Sequence, residues 1–516
     1  MLMLESTAER VETWLATHNR LYLALCTVLC FITFSGYSHV KAPWVDEILQ
    51  LTVARQDGFH GIWSAEMHGI IAEPPFLSLM QHYLMRVFGD GMFPMRLPAI
   101  AGFTLGCLSL ACLARRYVPA IFAASVFFMP YATTIRWRAM DARSYGMMFG
   151  WTALTLLCWD RMDREGARRN AWRVAFALSL AALMSTHFYS ILVLLPLGLG
   201  EITRWIQKRR VEWATVVCVA AGCIPYIIWL PILVSASREY MAGLYSRVAF
   251  ESLYTFYDSA VSTLPFVGAF ILILAAMALR RSPVGAVASE PSALGAPASV
   301  CIGFLLVPVV GFLAGLLVTG VFIPYHYMIA AVGFALGVPL ALAAICGNNR
   351  TIGLALFLAI AGHGLFVTAR GLSGYVRRET PYPTLAEVRK LIPEQRPDIV
   401  IPSPFEFLPF QEATRADPQN NLMYLYDAAK SRQILKVDTP ELNALHLRGI
   451  STARFEPFDK YVATHDRFYT AVTDDSMGVW LNTYLSRNMA ARFTWLGAVG
   501  RFELYRVELP NGSRLR

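Results

Sequence analysis

Acids and arginines are sparse in this sequence, and the clusters that stand out flank apolar runs. Asp46 and Glu47 follow the first long apolar run directly. Two acids at a membrane boundary are costly unless they are solvated or used. Adjacent helical residues point about 100° apart, so only one of the pair faces a given site. A carboxylate placed there can act as a general base toward a hydroxyl; a solvated helix end accounts for it equally well. The run Arg136-Trp137-Arg138-Ala139-Met140-Asp141-Ala142-Arg143-Ser144-Tyr145 packs three arginines and one acid into ten positions. Guanidinium forks match phosphate oxygens, and Asp141 can pair internally with Arg138 or Arg143 and so order such a site. Glu73-Pro74-Pro75-Phe76 opens a further apolar run. Proline fits a first helical turn and a preceding acid can cap it, so this motif has a structural reading beside a functional one. His187 and His326 stand at the ends of apolar runs, where a lone histidine often serves only as a hydrogen-bonding group.

The elements that must position these residues are membrane spans. Of 516 residues, 56% are hydrophobic and 16% charged, against about 25% charged in an ordinary soluble domain. A soluble core of this size cannot hide so much apolar surface. About 11 segments suit the roughly 30 Å hydrocarbon core as helices: residues 21–37, 97–113, 118–133, 144–159, 171–185, 188–200, 215–234, 264–279, 300–318, 327–345 and 352–369. The net charge of +9 sits mainly in short loops, which is a pattern of orientation and not of nucleic-acid binding. The nine cysteines all lie in or beside apolar runs, without the close Cys/His spacing of a structural zinc site.

Basic clusters at Arg115 and Arg116, at Arg161 to Arg173, at Arg204 to Arg210, and at Arg280 and Arg281 fall on one face in this span order, with Arg10 and Arg20. That face is expected to be cytoplasmic. The first run reads as a retained span, since no small-residue cleavage site follows it. The other face then carries loops 38–96, 134–143, 235–263 and 319–327. The first is too long for a mere connector, and its apolar piece 76–87 reads as an interfacial helix. Residues 286–299, rich in Ala, Ser, Pro and Gly, read as a flexible cytoplasmic loop. The expected division is a transmembrane module over 1–370 and a C-terminal α/β domain over 371–516. In the latter, 398–402 and 502–509 read as strands and 477–493 as a helix.

The first half of the chain resembles the GT-C superfamily of membrane glycosyltransferases, in particular its protein-mannosyltransferase-like (family 39) and aminoarabinose-transferase-like branch. The similar elements, in order, are Val45-Asp46-Glu47, Glu73-Pro74-Pro75-Phe76, Phe88-Gly89, Met95-Arg96-Leu97-Pro98 and Leu113-Ala114-Arg115-Arg116. Arg138-Ala139-Met140-Asp141-Ala142-Arg143-Ser144-Tyr145 and Ser185-Thr186-His187-Phe188 follow. Two positions depart from the family pattern: His326-Tyr327 stands where Arg-Tyr is frequent, and Glu73 where His-Pro-Pro is common.

The resemblance implies an all-α polytopic GT-C fold with a small C-terminal α/β extracytoplasmic domain. It implies inverting transfer of a hexosyl or pentosyl group from a polyprenyl-phosphate donor, at the periplasmic face of a bacterial inner membrane. The acceptor is lipid A or core sugar, a polysaccharide, another lipid or a protein, and membrane lipids are the remaining partner. Asp46 is the expected base, with Asp141 as second catalytic carboxylate. Glu47, Glu73, Arg96, Arg138, Arg143, Tyr145, His187, His326 and Tyr327 are expected to bind substrate. The residues assign no metal, and a divalent cation shared by Asp46 and Asp141 stays open. No Gly-rich nucleotide loop is visible, in keeping with a lipid-linked donor. A transporter or flippase of a lipid-linked saccharide is the main rival. Transporters usually show internal repeats and midplane charges, whereas here no repeat is found and the charges gather at helix ends.

The orientation has a direct check. Alkaline phosphatase fused after Val507 is expected to be active; a silent fusion together with a fluorescent cytoplasmic reporter at that position contradicts the topology.

Overall fold

The computed structural model describes residues 2–163, 166–240, 248–261, 268, 295–378, 382–394, 397–473 and 479–510. The expected span 264–279 and the basic pair Arg280 and Arg281 lie outside the described residues. Among the described residues, seven helices are long and apolar enough to cross a membrane: Asn19–Val40, Met92–Ala114, Phe188–Lys208, Trp213–Arg238, Gly295–Thr319, Pro324–Ile345 and Arg350–Gly374. Ala120–Ala132 is apolar but shorter, and Tyr145–Arg161 and Arg169–Met184 hold 17 and 16 residues. The chain is a multi-pass membrane protein. Its apolar runs are helical because lipid offers no partner to an unpaired backbone amide. Pro98, Pro308 and Pro339 are carried inside helices, which a membrane helix tolerates where neighbouring helices, side chains or local adjustment re-satisfy the freed carbonyl.

The chain forms two compact units. The first comprises Met1–Val40, Glu73–Leu230 and Ser246–Tyr375. Its tightest crossing joins Met92–Ala114 to Tyr145–Arg161, and glycine makes it. A Cβ on Gly102 would stand 2.5 Å from the Met147 Cα, and one on Gly150 would strike the Gly102 carbonyl. Gly146 meets Ala99 in the same way, and Gly106 the Phe149 ring. Gly102 and Gly106 face Gly146 and Gly150 at i, i+4 spacing, so two backbones meet where lipid supplies no hydrophobic drive. This crossing fixes the start of Tyr145–Arg161, and with it Arg143 and Tyr145. At the far N-terminus, both carboxylate oxygens of Glu12 accept backbone amides at the start of Ala120–Phe128, from Ala120 at 2.8 Å and Ile121 at 2.7 Å. That is a side-chain cap supplied from another helix.

The described end of the segment taken as a flexible linker, from Gly295 on, is the first turn of Gly295–Ala314. Pro297 fits a first turn, where its missing amide costs nothing, and the Ser299 hydroxyl donates to the Gly295 carbonyl at 3.0 Å.

The second unit comprises Lys41–Ala72, Pro231–Tyr245 and Val376–Arg516. It takes residues 41–72 out of the long loop that the sequence reading assigned to the membrane module. Its sheet has six strands: β1 (Ile399–Val400), β2 (Leu422–Tyr426), β3 (Arg454–Pro457), β4 (Arg467–Val472), β5 (Arg492–Val499) and β6 (Phe502–Glu508). The order is β3-β2-β1-β4-β6-β5. Strands β1 to β4 pair in parallel, and β6 pairs antiparallel with β4 and β5. Helices connect the parallel strands, as crossover connections require. The β5–β6 turn rests on Gly500 at φ +57, the left-handed conformation of a two-residue hairpin. The helix read over 477–493 is Leu481–Met489; Phe493 lies in β5, beyond the left-handed Ala490 that ends the helix.

Candidate active site

Within the first unit, four segments distant in sequence bring their polar residues together. Glu73 immediately precedes the Phe76–Phe88 helix region, and its carboxylate accepts the Arg143 guanidinium at 2.7 Å. Both side chains are buried, at 4% and 9% exposure. Burial pushes the Glu73 carboxyl up, while Arg143 pulls it back. A guanidinium stays charged at any accessible pH, so the pair is held by Coulomb attraction in a site of low dielectric. Arg138, in the single turn Ile135–Arg138, donates to Asp141 at 2.9 Å. This second pair is less enclosed, with Arg138 at 23% exposure. The Arg138 guanidinium stands 5.0 Å from the Tyr325 ring and 5.6 Å from the Tyr145 ring, within cation–π range.

His187 caps the turn Phe188–Val193 by accepting the Tyr189 amide on Nδ1 at 3.0 Å. That bond leaves the proton on Nε2, which stands 3.9 Å from the Glu73 carboxylate. Burial, with the Arg143 charge adding to it, pushes His187 down to about 3. The ring is therefore neutral at neutral pH, and its approach to Glu73 is not an ion pair. His326 lies in the 3₁₀ turn Pro324–Ala330, 5.1 Å from the His187 ring and 4.5 Å from the Tyr189 ring. Its Nδ1 is buried with no hydrogen-bond partner among the described residues. Tyr145 stands 5.8 Å from His187 and 5.6 Å from Tyr325. Tyr327 reaches the group through Tyr189, at 5.4 Å.

Glu73, Arg138, Asp141, Arg143, Tyr145, His187 and His326 thus form one cluster, with Tyr327 at its edge. Arg96 is employed differently: fully buried, it donates to the Ser38 carbonyl at 2.8 Å, which ties Met92–Ala114 to the end of Asn19–Val40. Arg136 donates to the carbonyls of Tyr131 and Thr133 and lies over Trp137, so only Arg138 and Arg143 of the three arginines enter the cluster. Tyr189 and Tyr325 were not singled out from the sequence. Their only signal was adjacency to His187 and His326, which becomes informative once those histidines are known to meet. Gln81 was also missed; it donates to the Met95 and Ala142 carbonyls and so splints the Arg138–Arg143 segment.

Asp46 and Glu47 belong to the second unit, in the first turn of the Val45–Ala54 helix. Glu47 is fully buried, salt-bridged to Lys41 at 3.0 Å and facing the Trp44 amide at 3.4 Å. This is half of a capping box. Of the ten residues in this helix, all described, Asp46 alone is not buried. Among the described residues there is no group of three or more His, Cys, Asp or Glu able to hold a metal ion.

The Glu73–Arg143 pair carries a measurable consequence. Glu73→Gln leaves a charge buried without its counter-ion and is expected to cost about 3–5 kcal/mol. Arg143→Met combined with Glu73→Gln is expected to cost less than Glu73→Gln alone, read by thermal unfolding in detergent. Additive losses in the double variant contradict the coupling.

No family model matches the chain, and no curated protein does. Its structure is similar to that of ArnT from Cupriavidus metallidurans bound to undecaprenyl phosphate, with a TM-score of 0.52 at 14% identity. The match covers 94% of this chain and 97% of that one. The apo form of the same ArnT aligns at a TM-score of 0.49 and 16% identity over 95% and 98% of the two chains. The archaeal oligosaccharyltransferase AglB from Archaeoglobus fulgidus, in complex with an inhibitory peptide and a dolichol-phosphate, aligns at 0.40 and 10% over 95% and 74%. The chain therefore shares the fold of that ArnT structure.

Proposed function

We propose that this protein is a membrane glycosyltransferase that moves a sugar from a polyprenyl-phosphate carrier to an acceptor at the periplasmic face of a bacterial inner membrane. The observation that carries the reading is the cluster of two arginine–carboxylate pairs, two histidines and several tyrosines, set in a fold shared with ArnT. The solved ArnT carries undecaprenyl phosphate, and a lipid phosphate is the ligand chemistry that Arg138 suits.

In this mechanism Asp46 accepts the proton of the acceptor hydroxyl as its oxygen attacks the anomeric carbon from the face opposite the phosphate. The bond from the anomeric carbon to the phosphate oxygen breaks, and the configuration inverts. A phosphate leaving group needs no strong general acid; it needs stabilisation of the charge it gathers. Arg138, the more exposed of the two paired guanidiniums, supplies that, with Asp141 holding it in place. Arg143, its charge compensated by Glu73, anchors the segment that carries Arg138. His187, neutral, contributes a hydrogen bond and no charge. The tyrosine rings offer faces for the sugar.

The test is a transfer assay on the purified protein with undecaprenyl-phosphate-linked mannose, glucose and aminoarabinose, set against nucleotide sugars. Lipid-linked donor is expected to be consumed, and Asp46→Asn is expected to lower turnover by about 10²–10⁴ while the protein still inserts. Glu47→Gln is expected to show chiefly as lost thermal stability, since Glu47 holds Lys41 and the helix start. Preference for a nucleotide sugar, or movement of the lipid-linked sugar across vesicles without transfer, overturns the reading.

A further inference from the structure

The helix that carries Asp46 ends in a clasp. Arg55, the residue that closes Val45–Ala54, donates from both terminal nitrogens to Glu412, at 2.9 Å to Oε2 and 2.6 Å to Oε1. Glu412 stands in the last turn of Pro404–Ala413. An acid at a helix C-terminus is set against the helix dipole, whereas Arg55 at the end of its own helix is favoured. Glu412 is thus poorly placed for the stability of its own helix and well placed to receive a cation. A planar, two-bond fork also fixes direction in a way that a single contact does not. Arg415, in the turn that follows this helix, stands 3.8 Å from the same carboxylate. One residue further along, the Gln56 amide donates to the Ile450 carbonyl at 3.3 Å. The far end of the Asp46 helix is therefore bonded at two points to the C-terminal α/β domain, while its flanks are buried and Asp46 is left at the opposite end.

We infer that the C-terminal domain serves as the platform for the catalytic base, with Arg55 and Glu412 as positioning residues that set the rotation of the Val45–Ala54 helix and so the aim of Asp46. The inference rests on the assignment of Asp46 as base. A ten-residue helix is about 15 Å long, so a small rotation at Arg55 is carried rigidly to Asp46. Displacements near 1 Å at a reacting group are enough to lower turnover by about 10²-fold. A partly exposed pair of this kind contributes little to global stability, which makes its loss separable from unfolding.

The experiment uses the full-length protein in detergent, with Arg55→Gln, Glu412→Gln and the charge-swapped double variant Arg55→Glu with Glu412→Arg. Arg454→Gln, which breaks the exposed Arg454–Asp398 pair at 2.7 Å in the same domain, is the control. Hydrogen–deuterium exchange over residues 45–54 needs no substrate. It is expected to quicken in both single variants and not in the control. Turnover of the undecaprenyl-phosphate sugars is expected to fall about tenfold or more in the single variants, with the KM for donor within about twofold. The charge swap is expected to restore most of it. Unchanged exchange overturns the clasp. Faster exchange with unchanged kcat, in a protein where Asp46→Asn is inactive, overturns the positioning role. Full activity in Asp46→Asn refutes the base assignment itself, and with it this inference, whatever the exchange arm reports.

Discussion

A guanidinium cannot shed its charge in a protein interior, so a fold that buries Arg143 must bring a counter-charge to it or not form. Glu73 answers that demand from 70 residues away in sequence, and the surrounding geometry follows from the need to hold the two together. Arg143 is presented by the start of Tyr145–Arg161, which the glycine crossing presses against Met92–Ala114. Glu73 is presented by the turn before Phe76–Phe88, and Gln81 in that helix holds the Ala142 carbonyl. His187 is buried beside this pair, and burial first, then the Arg143 charge, keeps it neutral. With that lower pair closed, Arg138 and Asp141 remain as the more accessible pair. The result is a buried, charge-compensated pair beside a second pair that is less enclosed.

Much of the membrane fold was legible because its signal is repeated over many residues. A run of some 20 apolar residues has few alternatives to a helix in lipid, and the described helices lie where such runs were read. The apolar piece read as a helix over 76–87 is the helix Phe76–Phe88. Signals that depend on one or two residues were harder. Nothing local marks Arg96 as a ligand of the Ser38 carbonyl, or Arg136 as a ligand of the Tyr131 and Thr133 carbonyls, because an arginine's sequence context does not reveal which oxygen it meets. The Ala-Ser-Pro-Gly composition of residues 286–299 suggested a loop, yet its last residues start a helix, where proline and small residues are equally at home. β5 was overlooked because its residues, with a glycine inside and an irregular register beside Trp495, alternate weakly.

The acidic pair shows the same division. Asp46 and Glu47 were indistinguishable by type, and only the argument from helical direction separated them. In the structure Glu47 is buried against Lys41, and Asp46 is the one half-buried residue in a helix otherwise buried. The grouping of residues 41–72 with the C-terminal domain had no sequence signal at all. It depends on contacts such as Arg55 with Glu412, between residues 357 positions apart, and pairing at that distance is not written in either segment alone.

The central claim is that a lipid-linked phosphate is recognised by Arg138 in the presence of the fixed Glu73–Arg143 pair. Native mass spectrometry of the purified protein with undecaprenyl phosphate addresses it without knowledge of the sugar or the acceptor. The account predicts a one-to-one complex in the wild-type protein that survives competition by phosphate-free polyprenol and weakens at least tenfold in Arg138→Gln, with thermal stability retained. Equal retention of undecaprenyl phosphate and phosphate-free polyprenol, or of the phosphate by wild type and Arg138→Gln, would contradict it.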